Sequence, residues 1–188
     1  MLRALTNLLL IASSMYAMYS LTPAEHPYAY TAASFSLVHG LLGLVRSYIE
    51  EPEECGRDFM ISSSILEVIL LPLANVEFYL LSDKSDVALV HGLSLIPLFY
   101  DMICKIGDDW DSSTETLKDL ALLGNVGSTA YLAVNDGIPI YGGVAATALM
   151  ARYGAALVDS FKQGLGASIG NLGHAGIVAL MTYALVEG

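Results

Sequence analysis

The sequence is poor in charged residues, and basic residues are the scarcest. Only 14% of its 188 residues are charged, 55% are hydrophobic, and the mean hydropathy is +0.58. Soluble domains carry about 25% charged residues, so this composition predicts a membrane protein. Eight Lys and Arg stand against 19 Asp and Glu, which gives a formal net charge of −11. Because a nucleic-acid surface needs clustered Lys and Arg, nucleic acid is not expected as a partner.

The chain also lacks the short motifs that mark catalysis, nucleotide binding or metal binding. No GxSxG, HExxH, P-loop or GxGxxG arrangement occurs. Its two cysteines, Cys55 and Cys104, form no CxxC or Cys/His spacing, so two free thiols are expected. The acidic run DDWD (108–111) lacks the alternating ligands of a calcium loop and is interpreted as a solvated loop. The expectation is a protein that is not an enzyme and that uses no metal or cofactor.

Long apolar runs are abundant, and they determine the expected fold. Each run approaches the ~20 residues of a helical membrane crossing. The expected architecture is an all-α integral membrane protein, one domain over 1–188, with a bundle of about seven transmembrane helices. The runs cover 2–21, 28–49, 59–81, 87–106, 117–134, 140–158 and 165–186. The pentapeptide LVHGL occurs at 37–41 and at 89–93, which suggests three repeated hairpins plus a closing helix.

The distribution of Lys and Arg near the ends of the runs predicts the orientation in the membrane. With seven crossings, only Lys84 falls on the side opposite the N-terminus. The basic residues on or nearest the N-terminal side are Arg3, Arg46, Arg57, Lys105, Lys118, Arg152 and Lys162. The N-terminus is therefore expected in the cytosol and the C-terminus in the lumen or outside. The endoplasmic reticulum or another endomembrane is the expected location.

The run 59–81 is the stretch around which the chain is expected to be organised. It is long enough to cross a bilayer, yet it contains Glu67, Pro72, Asn75 and Glu77. A charged side chain in hydrocarbon costs about 2.5–3.5 kcal/mol on insertion scales, so it faces protein, water or a partner. Glu67 and Arg152 both lie about eight residues from the cytosolic edge and are expected to pair. We favour an ion pair that fixes helix register over a proton relay or a substrate-binding charge.

Further polar residues interrupt the other runs. Those expected near the bilayer midplane are His39, Asn125, Asn171 and His174, with His91 and Glu77 nearer the lumenal side. We interpret them as interhelical hydrogen-bonding groups, with a binding site or proton path as the alternative.

The three histidines with Asp101 also raise a zinc hydrolase, in the manner of seven-span membrane ceramidases and progestin-receptor-like proteins. The sequence departs from that pattern, since no run contains His-x-x-x-His and the histidines are expected at different depths.

The last two runs are rich in small residues. Small-xxx-small patterns let helix backbones approach closely within a membrane. The glycines expected at a helix-packing or partner interface are Gly142, Gly143, Gly166, Gly170 and Gly173. Packing inside the bundle is the favoured interpretation, and a flat face that docks another membrane protein is the alternative.

The segment LPLANVEFYLLSDKSDVALVHG (71–92) resembles the transmembrane protein 276 family of small multi-pass proteins. The resemblance rests on Leu71-Pro72-Leu73, on Glu77-Phe78 and on Asp83-Lys84-Ser85 before the next run. YGGVAATAL (141–149) is similar to the Gly-Gly stretch in a late span of that family. The resemblance implies an architecture of several membrane spans, and it brings no catalytic residue.

Three functions follow from these observations as hypotheses. The first is a non-enzymatic accessory subunit of a larger membrane assembly, one that handles or transfers lipid at the endoplasmic reticulum, with the bilayer and a larger membrane protein as its partners. The second is a small-solute or proton-coupled transporter that uses Glu67, His39, His174 and Arg152. The third is the zinc-dependent lipid hydrolase.

Overall fold

The computed structural model describes residues 2–49, 56–107 and 113–187, and these residues contain helices and no strand. The expected all-α class is therefore confirmed. The α-helices are α1 (Leu2–Ser20), α2 (Pro27–Arg46), α3 (Gly56–Leu81), α4 (Ala88–Leu93), α5 (Ile96–Ile106), α6 (Ser113–Asn135), α7 (Pro139–Leu149), α8 (Ala155–Phe161) and α9 (Gly166–Glu187). A 3₁₀ turn (Ser85–Val87) precedes α4, and a π turn (Met150–Gly154) joins α7 to α8. Cys104 is a free cysteine, whereas Cys55 and the run 108–111 lie outside the described residues.

Three helices in the described part of the chain are long and apolar enough to cross a membrane. They are α2, α3 and α9, with 20, 26 and 22 residues. They match the second, third and seventh of the expected crossings, so three of the expected crossings have a helix able to span a membrane and seven spans are not shown.

The third helix forms the centre of the molecule. Its span is more buried inside the protein than those of α2 and α9, and it packs against α2, α4, α5, α6 and α9. Leu66, Leu70, Phe78 and Tyr79 are among its fully enclosed side chains. Enclosure explains why α3 tolerates Asn75 and Glu77, since each of these buried side chains bonds to another helix. The expectation that the chain is organised around the run 59–81 is confirmed.

The fourth expected run, 87–106, is not one continuous helix. It divides into α4 and α5, with a turn at Ser94 and Leu95. Pro97 follows that turn, and its missing N–H cannot continue a helical ladder back to the carbonyl of Leu93. Ser94 also donates its side-chain hydroxyl to the carbonyl of His91 at 2.6 Å. The run expected to form one crossing therefore contains two short helices, and Pro97 is a physical reason for the break.

The internal repeat also has no counterpart in the fold. The first LVHGL lies in the middle of the continuous helix α2, whereas the second makes up most of the six-residue helix α4. Equivalent hairpins would place both copies in similar helices. The suggestion of three repeated hairpins is therefore not supported at this pair of segments.

The glycines of α9 allow close packing within the protein. An added Cβ at Gly173 would lie 2.7 Å from the Cα of Ala151, and one at Gly166 would lie 2.9 Å from the carbonyl oxygen of Ala155. At Gly170 the corresponding distance, to the carbonyl oxygen of Ala151, is 3.4 Å. These contacts are internal, as expected from the favoured interpretation of the small residues.

The two glycines of α7 have more room. An added Cβ would lie 3.2 Å from Leu180 at Gly143 and 3.8 Å from Ala133 at Gly142. Both therefore also face neighbouring helices of the same chain, and a Cβ is best tolerated at Gly142.

Candidate functional site

A cluster of three charges joins α3, α6 and the π turn. The Arg152 guanidinium donates through Nη1 to Glu67 Oε2 at 2.7 Å and through Nε to Asp119 Oδ1 at 3.0 Å. The expected Glu67–Arg152 pair is thus present, and Asp119 is a second carboxylate that the sequence did not indicate. The pair is not deeply buried, because the Arg152, Glu67 and Asp119 side chains keep 26%, 31% and 38% of their exposure. π turns occur often at functional sites, so the position of Arg152 in one makes this cluster a candidate.

A second ion pair lies deeper, between α5 and α6. Lys118 Nζ lies 3.3 Å from Asp101 Oδ2, and the two side chains are only 4% and 2% exposed. Ser64 of α3 donates to the same carboxylate oxygen at 2.9 Å and accepts from Lys118 at 3.2 Å. A buried charge needs such a partner, and breaking the pair would leave the other charge uncompensated. Asp101 therefore has a cation as its neighbour, in place of the zinc ion that the hydrolase hypothesis assigned to it.

An asparagine pair links α3 to α6. Asn75 donates through Nδ2 to Asn125 Oδ1 at 2.9 Å and to the backbone carbonyl of Asn125 at 3.0 Å. Its Oδ1 accepts from the Thr129 hydroxyl at 2.6 Å. All three residues are buried. Because a backbone carbonyl can only accept, these contacts establish which atom of the Asn75 amide is nitrogen.

His91 of α4 extends this network. Its Nδ1 lies 2.8 Å from Asn125 Oδ1, and its Nε2 lies 3.0 Å from the hydroxyl of Ser128, which is also 2.7 Å from the Tyr79 hydroxyl. Asn125 donates its Nδ2 to the carbonyl of Ala121, so Oδ1 is an acceptor and His91 Nδ1 must carry the proton. His91 Nε2 then accepts from the Ser128 hydroxyl, and the Ser128 oxygen accepts from the Tyr79 hydroxyl.

A direct hydrogen bond joins two residues that were expected at different depths, Asn125 at the midplane and His91 nearer the lumenal side. Both ring nitrogens of His91 are occupied by protein groups. His91 thus acts here as a hydrogen-bonding residue between helices.

His39 and His174 lie in a different part of the bundle. Ser62 donates its hydroxyl to the carbonyl of Phe59, so its oxygen accepts from His39 Nδ1 at 2.8 Å. Asn171 donates to Asn7 Oδ1 at 2.8 Å, and no hydrogen bond reaches His174 Nδ1 from the described residues. The expected midplane layer is therefore two separate groups.

The histidines do not come together as metal ligands. Within residues 2–49, 56–107 and 113–187, no three His, Cys, Asp or Glu side chains form a group that could hold a metal ion. The zinc hydrolase hypothesis gains no support from this geometry.

Glu77 has a structural partner that the sequence did not reveal. Its Oε2 accepts the backbone N–H groups of Tyr28 and Ala29, each at 3.0 Å, and its Oε1 lies 3.4 Å from His26 Nδ1. These amides belong to the first turn of α2, where N–H groups lack helical partners and the helix dipole favours an anion. Glu77 caps α2 from a neighbouring helix, which explains an acid near the end of an apolar run.

A large cleft lies at one end of the bundle, among the start of α1, the end of α2, the start of α3 and the start of α9. Its volume is about 1150 Å³. Much of its wall is apolar, and among the described residues the charged side chains that line it are Arg3 and Arg46. Nothing in the sequence pointed to this cleft, because it arises from the placement of four separate helix ends.

Fold and contacts together define an all-helical protein with three helices able to cross a membrane and with buried polar side chains that bond across the helices. The chain belongs to the family described as a domain of unknown function, DUF4791, whose model matches residues 23–185. No curated protein and no solved structure matches the chain.

Proposed function

We propose that this protein is a non-enzymatic accessory subunit of a larger membrane assembly. The observation that carries the proposal is that buried polar side chains of neighbouring helices hydrogen bond to one another. Asn75, His91, Asn125 and Ser128 exemplify this, since they bond to one another within the bundle. Hydrogen bonds of this kind hold helices together where no hydrophobic force acts between them.

The space around the charged cluster agrees with a structural role. Two small voids border Glu67 and Arg152, each of about 10 Å³. A void of that size holds at most about one water molecule. A solute would need a wider passage through the bundle.

Large apolar side chains on the outside of the described helices support a bilayer or a membrane partner as the surroundings. They include Met15 and Tyr19 on α1, Leu89 and Val90 on α4, and Ile103 on α5. Soluble monomers rarely expose large contiguous apolar patches. The additional crossings by α1 and by the helices between α3 and α9 are part of this proposal.

Location, orientation and lipid handling are further parts of the proposal. The Lys/Arg distribution supports a cytosolic N-terminus. The resemblance of 71–92 to the transmembrane protein 276 family supports a small multi-pass protein. A lipid-handling assembly at the endoplasmic reticulum is the version we favour, since the outer surface of the helices is so largely apolar.

The proposal is tested by gentle purification of tagged protein from its native membrane, followed by measurement of the mass and composition of the particle. We expect a stoichiometric complex with a larger membrane protein. A particle that contains only this chain, as a monomer or a homo-oligomer, would overturn the accessory role.

A transporter is the second candidate, and the partly exposed cluster of Arg152, Glu67 and Asp119 is the observation that favours it. Under this hypothesis Glu67→Gln abolishes flux in reconstituted vesicles while the protein stays folded. Asp136→Asn is the matched control, since Asp136 is an exposed acid that lies 3.8 Å from Lys84, away from the cluster. Flux that Glu67→Gln leaves unchanged would exclude the cluster as a transport site.

A further inference from the structure

We propose that the cleft between α1, α2, α3 and α9 binds the phosphate-bearing headgroup of an anionic lipid, with an acyl chain along the outside of α1. This inference deepens the lipid-handling part of the proposed function and names a ligand class and a site for it. It does not require a protein partner, so the two proposals can fail separately.

The charge of the cleft is opposite to that of the whole chain. The protein carries a net charge of −11, yet the cleft is lined by Arg3 and Arg46 and by no acidic side chain among the described residues. Neither arginine forms an ion pair with a carboxylate within the described ranges. Two guanidinium groups that no carboxylate of the described residues contacts, at the border of an apolar space, favour an anionic ligand.

Arg46 is held by an aromatic contact, and no hydrogen bond to a residue in the described ranges uses its guanidinium. Its guanidinium carbon lies 4.8 Å from the centre of the Phe59 ring, and Phe59 in turn stacks against His39 at 4.8 Å. A cation–π contact uses the flat face of the guanidinium. The N–H groups at its edge, which suit the bidentate geometry of phosphate, remain available.

Within the part of the chain that the structure describes, Arg3 is anchored by one hydrogen bond. Its Nη2 donates to the carbonyl of Gly164 at 3.2 Å, and Gly164 adopts a φ of +85° that favours glycine. A guanidinium has five N–H donors, so this single bond leaves most of them for a ligand. The bond also ties the start of α1 to the loop before α9, where the cleft opens.

The start of α9 offers a side-chain hydroxyl to a ligand in the cleft, whereas its first backbone amide is already bonded within the protein. Asp159 Oδ1 already accepts from the N–H groups of Gly164 and Gly166, so this helix end is capped by the protein. Ser168 lines the cleft and is 1% exposed, and its Oγ has no hydrogen-bond partner among the described residues. A buried hydroxyl without a partner is costly, and a ligand oxygen would remove that cost.

Size and wall chemistry favour a lipid over a free anion. The volume of about 1150 Å³ exceeds the range of about 300–1000 Å³ typical of small-molecule pockets, and is far larger than inorganic phosphate needs. Leu2, Leu5 and Leu8 line the cleft and are exposed along α1. Arg3 and Arg46 lie at helix ends, the level at which a headgroup sits if these helices cross the bilayer.

The test is lipid binding by the purified full-length protein in detergent, measured by native mass spectrometry with added phosphatidic acid or phosphatidylcholine. We expect phosphatidic acid to bind at one site and to bind at least about tenfold more weakly to Arg46→Gln, since one charge-assisted hydrogen bond is worth about 1.5–3 kcal/mol. Arg3→Gln should act in the same direction. Lys162→Gln is the matched control, because Lys162 is an exposed cation in the loop before α9 that does not line the cleft.

A second variant separates the cleft from general electrostatic attraction. Ala167→Phe keeps both arginines and fills part of the space that Ala167 lines, so it should also weaken phosphatidic acid binding. Direct binding of millimolar inorganic phosphate in the absence of lipid, lost in Arg46→Gln, would identify a free-anion site and overturn the lipid assignment. Equal binding of both lipids, or an equal effect of Lys162→Gln and Arg46→Gln, would overturn the site itself. Purified particles that contain a larger membrane protein but bind no phosphatidic acid would overturn this inference alone. Particles that bind phosphatidic acid but contain only this chain would overturn the accessory role alone.

Discussion

The two LVHGL segments have the same five residues and different structures. In the first, His39 and Gly40 lie mid-helix in α2, and Gly40 packs closely against α1. In the second, His91 and Gly92 belong to the short helix α4, and an added Cβ at Gly92 would meet nothing within 4 Å. The histidines differ too, since His39 bonds to Ser62 whereas His91 bonds to Asn125 and Ser128.

The difference shows that the surroundings decide the role of this pentapeptide. Both histidines are buried and both donate through Nδ1, as their acceptors require. The two copies differ in whether the helix continues after them. Pro97 follows the second copy and interrupts the helix, whereas α2 contains no proline after the first copy. Similar short segments in apolar sequence are therefore weak evidence for a structural repeat.

The largest expected effect comes from Asn125→Leu, which removes the shared partner of His91 and Asn75. The variant leaves His91 Nδ1–H and Asn75 Nδ2 each without the Asn125 side-chain acceptor. We expect the free energy of unfolding to fall by about 2–4 kcal/mol, since a buried group left without a partner costs about 1–3 kcal/mol. Equilibrium unfolding in mixed micelles, followed by tyrosine fluorescence, measures the loss. Gly124→Ala is the neighbouring control, with open space around an added Cβ. A loss below about 0.5 kcal/mol would contradict a structural role for this network.

An intermediate effect is expected from matched alanine substitutions at the two LVHGL glycines. Gly40→Ala places a Cβ 2.9 Å from Ile11 Cγ1 and 3.4 Å from the carbonyl oxygen of Asn7, so either the Ile11 side chain shifts or α1 and α2 separate. Overpacking of this kind costs about 1–3 kcal/mol. Gly92→Ala meets no neighbour, and the greater helix propensity of alanine should stabilise α4 by up to about 1 kcal/mol. The same unfolding measurement compares them, and equal effects at both positions would show that the two environments do not differ.

The sequence allowed prediction of those contacts that depend on rare charges in apolar runs. Glu67 and Arg152 were expected to pair because each is an isolated charge at a similar distance from a helix end. Lys118 was missed because a basic residue near the start of a run is typical of the cytosolic flank, and its burial against Asp101 depends on where α5 lies. Ser128 and Thr129 were missed because hydroxyls in helices commonly bond to their own backbone, as Thr129 does to the carbonyl of Asn125.

The cleft and the cap on α2 could not be predicted for a related reason. Both depend on the relative placement of helix ends that are far apart in the chain. Glu77 lies 49 residues from Tyr28, whose amide it accepts, and Arg3 lies 161 residues from Gly164. No local pattern of hydrophobicity or charge carries that information, whereas the class of fold follows from composition and periodicity alone.

The smallest expected effect comes from the hydroxyl beside the first histidine. Ser62→Ala removes the hydroxyl that accepts from His39 Nδ1, and the stacking of the His39 ring on Phe59 at 4.8 Å remains. We expect the free energy of unfolding to fall by about 1 kcal/mol, since a single partner of a buried donor is lost.

Ser128→Ala is the matched change beside His91, and it should cost more because that hydroxyl contacts both His91 and Tyr79. The two variants are compared by the shift of the unfolding midpoint at an unchanged slope. If Ser62→Ala costs as much as Ser128→Ala, then His39 depends on its hydrogen bond as strongly as His91 does, and the two copies of the pentapeptide differ in helix length but not in how firmly their histidines are held.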